Sequence, residues 1–238
     1  MTLIASFAAE GWPTFMSDVL LSSPVGNPNV SLPLIGQNGS AIRVCGELKI
    51  HGLARKTLVI SPRMIVSFAG KYDAALRVLN CLRAGAEIST DTKFLEQYVR
   101  ANAGQDLPHV PLLVASRLDD GRMSIWGSAC KEFVAPGLTA WAAGSGSNRL
   151  GPALSALPLA FLEAHPPAQR GVIAALSVAA GFLGEEMLTG GPLTQGFGGH
   201  YDIAAFDEGV ATYVSDVVYL FWYARETPEG MHVTPPFK

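Results

Sequence analysis

Cysteine is scarce in this chain: Cys45, Cys81 and Cys130 are the only three in 238 residues, set far apart and with no CxxC pair. A disulfide-dependent miniature fold is excluded, and so is a paired-thiol metal or redox motif; buried free thiols are expected. Charge is scarce too. Asp, Glu, Lys and Arg make up 16% of the residues, and 17 basic against 20 acidic side chains leave a formal net charge of −3. There is no electropositive excess to neutralise many phosphates, which excludes nucleic acid as a main partner. Long apolar runs are missing as well. The most apolar stretch, residues 172–183, falls short of the ~20 residues of a bilayer span, so membrane insertion is not expected. The first residues carry no basic signal segment, and Asp18 interrupts the only early apolar stretch, so a cytoplasmic location is expected.

Familiar catalytic signatures are also absent. No GxSxG elbow, HExxH, P-loop or helix-opening GxGxxG occurs. Five histidines, His51, His109, His165, His200 and His232, are scattered without short-range pairing, and neither a metal nor another cofactor is expected. His200 and Asp202 form the one tempting pair, since alternate residues of a strand share a face.

What the chain does have is apolar content: 49% of its residues are hydrophobic, enough for a sizeable core and for one domain spanning 1–238. The low charged fraction fits a subunit that buries large faces against copies of itself. Residues 3–8 and 14–18 read as a hairpin around a Gly-containing turn. A Pro- and Gly-rich loop at 24–40 follows, then strands at 42–51, 57–60 and 64–68. From 71 to 99 the period becomes helical, as one long helix or two broken near Gly85. Strands return at 111–117 and 123–128 around Asp119-Asp120-Gly121, then at 133–135 and 139–143. Helices are expected at 150–164, with Pro158 as a kink, and at 169–188, followed by strands at 193–197 and 200–206. The tail from 210 to 225 fits either state. Segregated strand blocks give an α+β class: two antiparallel sheets face to face, each covered outside by helices.

Thr2 directly follows the initiator Met. Removal of Met1 would set its hydroxyl beside a free α-amine, whose ordinary pKa of roughly 7.7–8.0 suits it to accept the hydroxyl proton at working pH. Around it stands an ordered set. Thr2, Asp18 at the end of the second strand, Lys56 at the start of Lys-Thr-Leu-Val-Ile, and Phe68-Ala69-Gly70 with Asp73-Ala74 resemble the proteasome β-subunit family, including its bacterial members. Gly144-Ser145-Gly146 resembles the family's Gly-Ser-Gly, and Glu186 to Gly191 resembles its Asp-x-x-Ser-Gly-Gly at a helix end, with glutamate replacing aspartate. The matches run in order over most of the chain, with extra length at 24–55 and 84–110.

The resemblance implies a four-layer αββα sandwich, the N-terminal nucleophile hydrolase fold. It implies Thr2 as nucleophile, Lys56 as the ammonium favouring its alkoxide, Asp18 holding that lysine, and Gly70 as the oxyanion donor. Ser145, Glu186 and Thr189 would complete the network at the amine. Because glutamate is one methylene longer, Glu186 reaches that network only if the helix end shifts or an intervening group is displaced. Leu21, Ser22, Ala54, Leu58, Phe68 and Tyr72 would wall an apolar specificity pocket for small or medium uncharged side chains. The implied protein is a threonine peptidase in a homo-oligomer of stacked rings, acting on peptides or unfolded proteins fed by an ATP-driven unfoldase. An amidase or acylase on the same fold, or a catalytically inactive scaffold subunit, are the alternatives.

Overall fold

The computed structural model describes residues 2–27, 29–30, 44–45, 47–135, 137–215, 217, 223–227 and 230–234. Met1, the 31–43 part of the loop and residues 218–222 of the tail lie outside this set. The first half runs β1 (Leu3–Ala9), β2 (Trp12–Asp18), β3 (Leu20–Ser23), β4 (Val44–Cys45), β5 (Leu48–Leu53), β6 (Thr57–Ser61), β7 (Met64–Phe68), α1 (Tyr72–Ala86) and α2 (Thr92–Ala103). There follow β8 (Leu112–Arg117), β9 (Met123–Ser128), β10 (Lys131–Ala135), β11 (Leu138–Gly144), α3 (Ser147–Ser155), α4 (Leu159–Glu163), α5 (Pro167–Thr189) and α6 (Gly191–Thr194). β12 (Tyr201–Asp207), β13 (Val210–Tyr213), β14 (Tyr223–Thr227) and β15 (Gly230–Thr234) complete the order.

The class is α+β with antiparallel sheets. One sheet has six strands in the order β10-β11-β1-β2-β12-β13 and another has four, β6-β7-β8-β9; β3-β5-β4 and β14-β15 form smaller sheets. Side-chain alternation decides what each face buries. In β1, Leu3, Ala5, Phe7 and Ala9 join a core with Ala174, Ala175, Val178 and Phe182 of α5. Ile4 points the other way, into a core with Phe15, Ile65, Leu113 and Ala115. Met64, Val66 and Phe68 of β7 pack with Val78, Leu82, Leu95 and Val99 of α1 and α2. Because β1 is buried on both faces, it reads as an apolar run interrupted only by Ser6 rather than as an alternating one.

Several boundaries depart from the sequence reading. The helix at 71–99 breaks at 87–91, not at Gly85, which is buried inside α1 against Leu95 and Tyr98. Asp91 starts α2 anew by accepting from the Lys93 N–H at 3.1 Å. The 150–164 helix is two helices, with Pro158 at the N-cap of α4. The strand expected at 193–197 is not formed: Gly191–Thr194 is a helical turn, and Gly196, Gly198 and Gly199 all take positive φ, which breaks any ladder. α5 exceeds the apolar stretch read from the sequence; at 23 residues it is long and apolar enough to cross a bilayer, but Gly171, Ala174, Val178 and Phe182 are buried in this fold.

Candidate active site

Strand register brings the chemistry together. The β1–β2 hairpin pairs Ile4 with Ser17, which sets Asp18 level with the start of β1. Leu3 pairs with Gly144 of β11, placing Ser145 beside Thr2, and Tyr201 of β12 pairs with Asp18, bringing the 198–200 turn in from the other side. Lys56 enters from the second large sheet, its carbonyl accepting from the Phe68 N–H at 3.0 Å.

Thr2, Asp18 and Lys56 form one buried cluster. Thr2 Oγ1 donates to Asp18 Oδ1 at 2.5 Å and accepts from Lys56 Nζ. The Lys56 ammonium also donates to Asp18 Oδ1 at 3.0 Å and to the Leu20 carbonyl at 2.6 Å. Asp18 is held in turn by the N–H groups of Leu3 at 2.7 Å and Leu20 at 3.2 Å. A buried carboxylate and ammonium persist only when paired and further hydrogen-bonded, and both conditions are met.

Ser145 stands at the nitrogen of Thr2. The Thr2 N–H donates to Ser145 Oγ at 3.1 Å, and Ser145 Oγ and the Gly146 N–H both reach the Thr2 carbonyl, at 3.3 and 3.2 Å. A Cβ on Gly144 would sit 2.2 Å from that carbonyl oxygen, so only glycine permits the approach.

Gly70 has φ +93°, and a Cβ there would meet the His109 carbonyl oxygen at 2.1 Å. Glycine is thus required by the chain packed behind it. Ala69 N–H bonds to Pro111 and Lys71 N–H to His109, while the Gly70 N–H between them has no acceptor among the described residues.

Glu186 lies deeper than expected. It is 2% exposed and accepts from the Gly199 N–H at 3.2 and 3.1 Å through its two oxygens; neighbouring Gly198 donates to Asp18 Oδ2 at 3.4 Å. A Cβ on Gly198 would be 2.1 Å from Glu186 Oε2, which explains how the extra methylene is accommodated. Burial pushes the Glu186 carboxyl up to about 7, with the nearby Asp18 charge adding and the Gly199 N–H opposing. No bond joins it to the Thr2 nitrogen among the described residues. Thr189 does not join the site. Its exposed hydroxyl donates to the Glu185 carbonyl at 3.0 Å and accepts from the Gly191 N–H at 3.1 Å.

A cleft of about 730 Å³ opens onto Thr2, Lys56, Gly70 and Ser145, with Leu21, Ser22, Phe68 and Tyr72 on its walls. The Phe68 and Tyr72 rings lie 6.3 Å apart, tilted at 47°. Ala54 and Leu58 do not line it: Ala54 N–H bonds to the Val19 carbonyl at 2.8 Å, and Leu58 packs on the core under α1 and α2. The lining surface is mostly apolar, but apolar residues do not supply all of it. Ser23, His51, Lys71, Asp73 and His109 also line it, contributed by segments with no local spacing that would have grouped them. Ser22 Oγ is buried with no partner among the described residues. Among the described residues no three His, Cys, Asp or Glu side chains gather as a metal site.

No protein-family model matches the chain, and no curated protein matches its sequence.

Proposed function

We propose that this chain is an N-terminal threonine nucleophile hydrolase that cleaves peptide bonds. The observation that carries the proposal is the contact of the Lys56 ammonium with Thr2 Oγ1, both facing one cleft beside the Gly70 N–H. Three stacked cores, helix on sheet, sheet on sheet and sheet on helix, support reading the architecture as a four-layer αββα sandwich.

Once Met1 is removed, the α-amine of Thr2 takes the Oγ1 proton and Oγ1 bonds to the scissile carbonyl carbon. The Lys56 ammonium favours the developing alkoxide, and the Gly70 N–H, without an acceptor among the described residues, receives the oxyanion. Collapse breaks the C–N bond, and the departing amine takes the proton from the α-ammonium. Water, deprotonated by the same amine, then adds to the acyl carbon; the C–Oγ1 bond breaks, the acid departs, and Oγ1 regains the proton from the α-ammonium. Ser145 orients the amine, and Asp18 orients Lys56.

Stacked homo-oligomeric rings fed by an ATP-driven unfoldase belong to the same proposal, supported by the 16% charged fraction and by exposed apolar side chains such as Ile88, Val134 and Leu188. Wild type and Thr2→Ala compared on a panel of fluorogenic peptides test the activity, and light scattering tests the assembly. Hydrolysis that vanishes in Thr2→Ala supports the proposal. Equal hydrolysis by both overturns it.

A further inference from the structure

Alternation along a strand would put His200 and Asp202 on one face, but β12 begins only at Tyr201, and among the described residues no hydrogen bond joins the two. Asp202 Oδ2 instead accepts from Arg55 Nε at 3.2 Å, next in sequence to Lys56. The Arg55 guanidinium also lies over the ring of Tyr213, 4.3 Å from its centroid. The hydroxyl of that same tyrosine donates to the Thr57 carbonyl at 3.3 Å and accepts from the Val59 N–H at 3.1 Å. Tyr213 therefore holds the residue on each side of Lys56, from a strand of the other large sheet.

Such holding has a chemical use. A lysine side chain is long and flexible, so fixing its backbone narrows where its ammonium can reach. A misplacement of roughly 1 Å can lower a rate by about two orders of magnitude. Phe68 secures only the Lys56 carbonyl. On the carboxyl side Thr57 is also held by its pairing with Ser67 and by its hydroxyl bonds to Ser17 and Ser67, at 2.9 and 2.7 Å, with the Tyr213 hydroxyl added; on the amino side Arg55 has the Tyr213 stack and the Asp202 ion pair.

We propose that Tyr213, together with Asp202, is a positioning residue for Lys56, clamping its two sequence neighbours so that the ammonium stays on Thr2 Oγ1. The inference rests on the reading of Lys56 as the group that favours the Thr2 alkoxide. It also gives Asp202 a role other than pairing with His200.

The test uses the full-length protein with selectively ¹⁵N-labelled lysine. The buried Lys56 ammonium resonance is assigned by its loss in Lys56→Met. Tyr213→Phe keeps the ring under Arg55 and removes both hydroxyl bonds; Asp202→Asn keeps the size and removes the charge. Both substitutions are conservative, and circular dichroism verifies that each variant folds. The expected result is a shifted or broadened Lys56 resonance in either variant, with kcat lowered roughly tenfold and KM held within about twofold. A Lys56 resonance unchanged in the folded variants overturns the proposal whatever the activity. Wild type that cleaves no peptide would sink the hydrolase reading, and the resonance alone would then decide this one.

Discussion

Lys56 Nζ sits 3.0 Å from Asp18 Oδ1, and the two side chains are only 3% and 0% exposed. Removing one member of such a pair leaves the other charge buried without compensation. Lys56→Met should lower the unfolding free energy by about 3–5 kcal/mol in denaturant titrations, and the double change with Asp18→Asn should recover part of the loss. A loss below about 1 kcal/mol would mean that the pair is solvated like a surface ion pair.

Glu186 gives a pH dependence with a definite sign. Its carboxyl, ordinarily at 4.5, is raised to about 7, first by burial and then by Asp18. The folded state therefore holds this proton more tightly than the unfolded chain does. Its contribution to stability is complete below about 4.5 and is lost as pH rises through about 7. Glu186→Gln is neutral throughout. Its stability relative to wild type should rise by on the order of 3 kcal/mol between about pH 4 and about pH 8.5, read from melting curves at each pH. Parallel curves for the two proteins would contradict the assignment.

Two glycines should respond in opposite directions. Gly70→Ala forces a Cβ to within 2.1 Å of the His109 carbonyl at φ +93° and should destabilise by about 1–3 kcal/mol while abolishing turnover. Gly181→Ala, inside α5 with nothing within 4 Å of the added carbon, should stabilise by about 0.5–1 kcal/mol through helix propensity. Thermal melts of both variants check the pair.

Ser145 and Thr189 separate cleanly. Ser145→Ala removes the hydroxyl that meets the Thr2 nitrogen and should lower kcat by about tenfold or more. Thr189→Ala, whose hydroxyl closes only the end of α5, should leave kcat within about twofold. Equal losses in the two would place Thr189 back in the amine network.

The legible parts of this protein were those set by local turns and by register. The Gly-containing turn after β1 fixes the first hairpin, which is legible from local spacing, whereas Asp18 is singled out as a site residue by the family resemblance. Gly144-Ser145-Gly146 is picked out by the family resemblance alone, and the register sets it at the end of the strand beside β1. Thr189 was misplaced because a helix C-terminus does not reveal which way its last hydroxyl turns, and here it bonds back to Glu185. Glu186 stands in the sequence-derived set without its partner, since Gly198 and Gly199 lie in the gap between the strands expected at 193–197 and 200–206, where local spacing does not reveal what a turn packs against. The polar side of the cleft escaped for another reason. His51 comes from β5 and His109 from the turn before β8, and only tertiary packing sets them facing one cavity.

The central claim concerns the freed amine and hydroxyl of Thr2, and intact mass spectrometry after incubation with an activated peptide ester tests it most directly. The account predicts a chain lacking Met1 that gains one acyl group, located on the peptide beginning at Thr2 and absent from Thr2→Ala. A chain that keeps Met1, or an acyl group carried equally by Thr2→Ala, would contradict it.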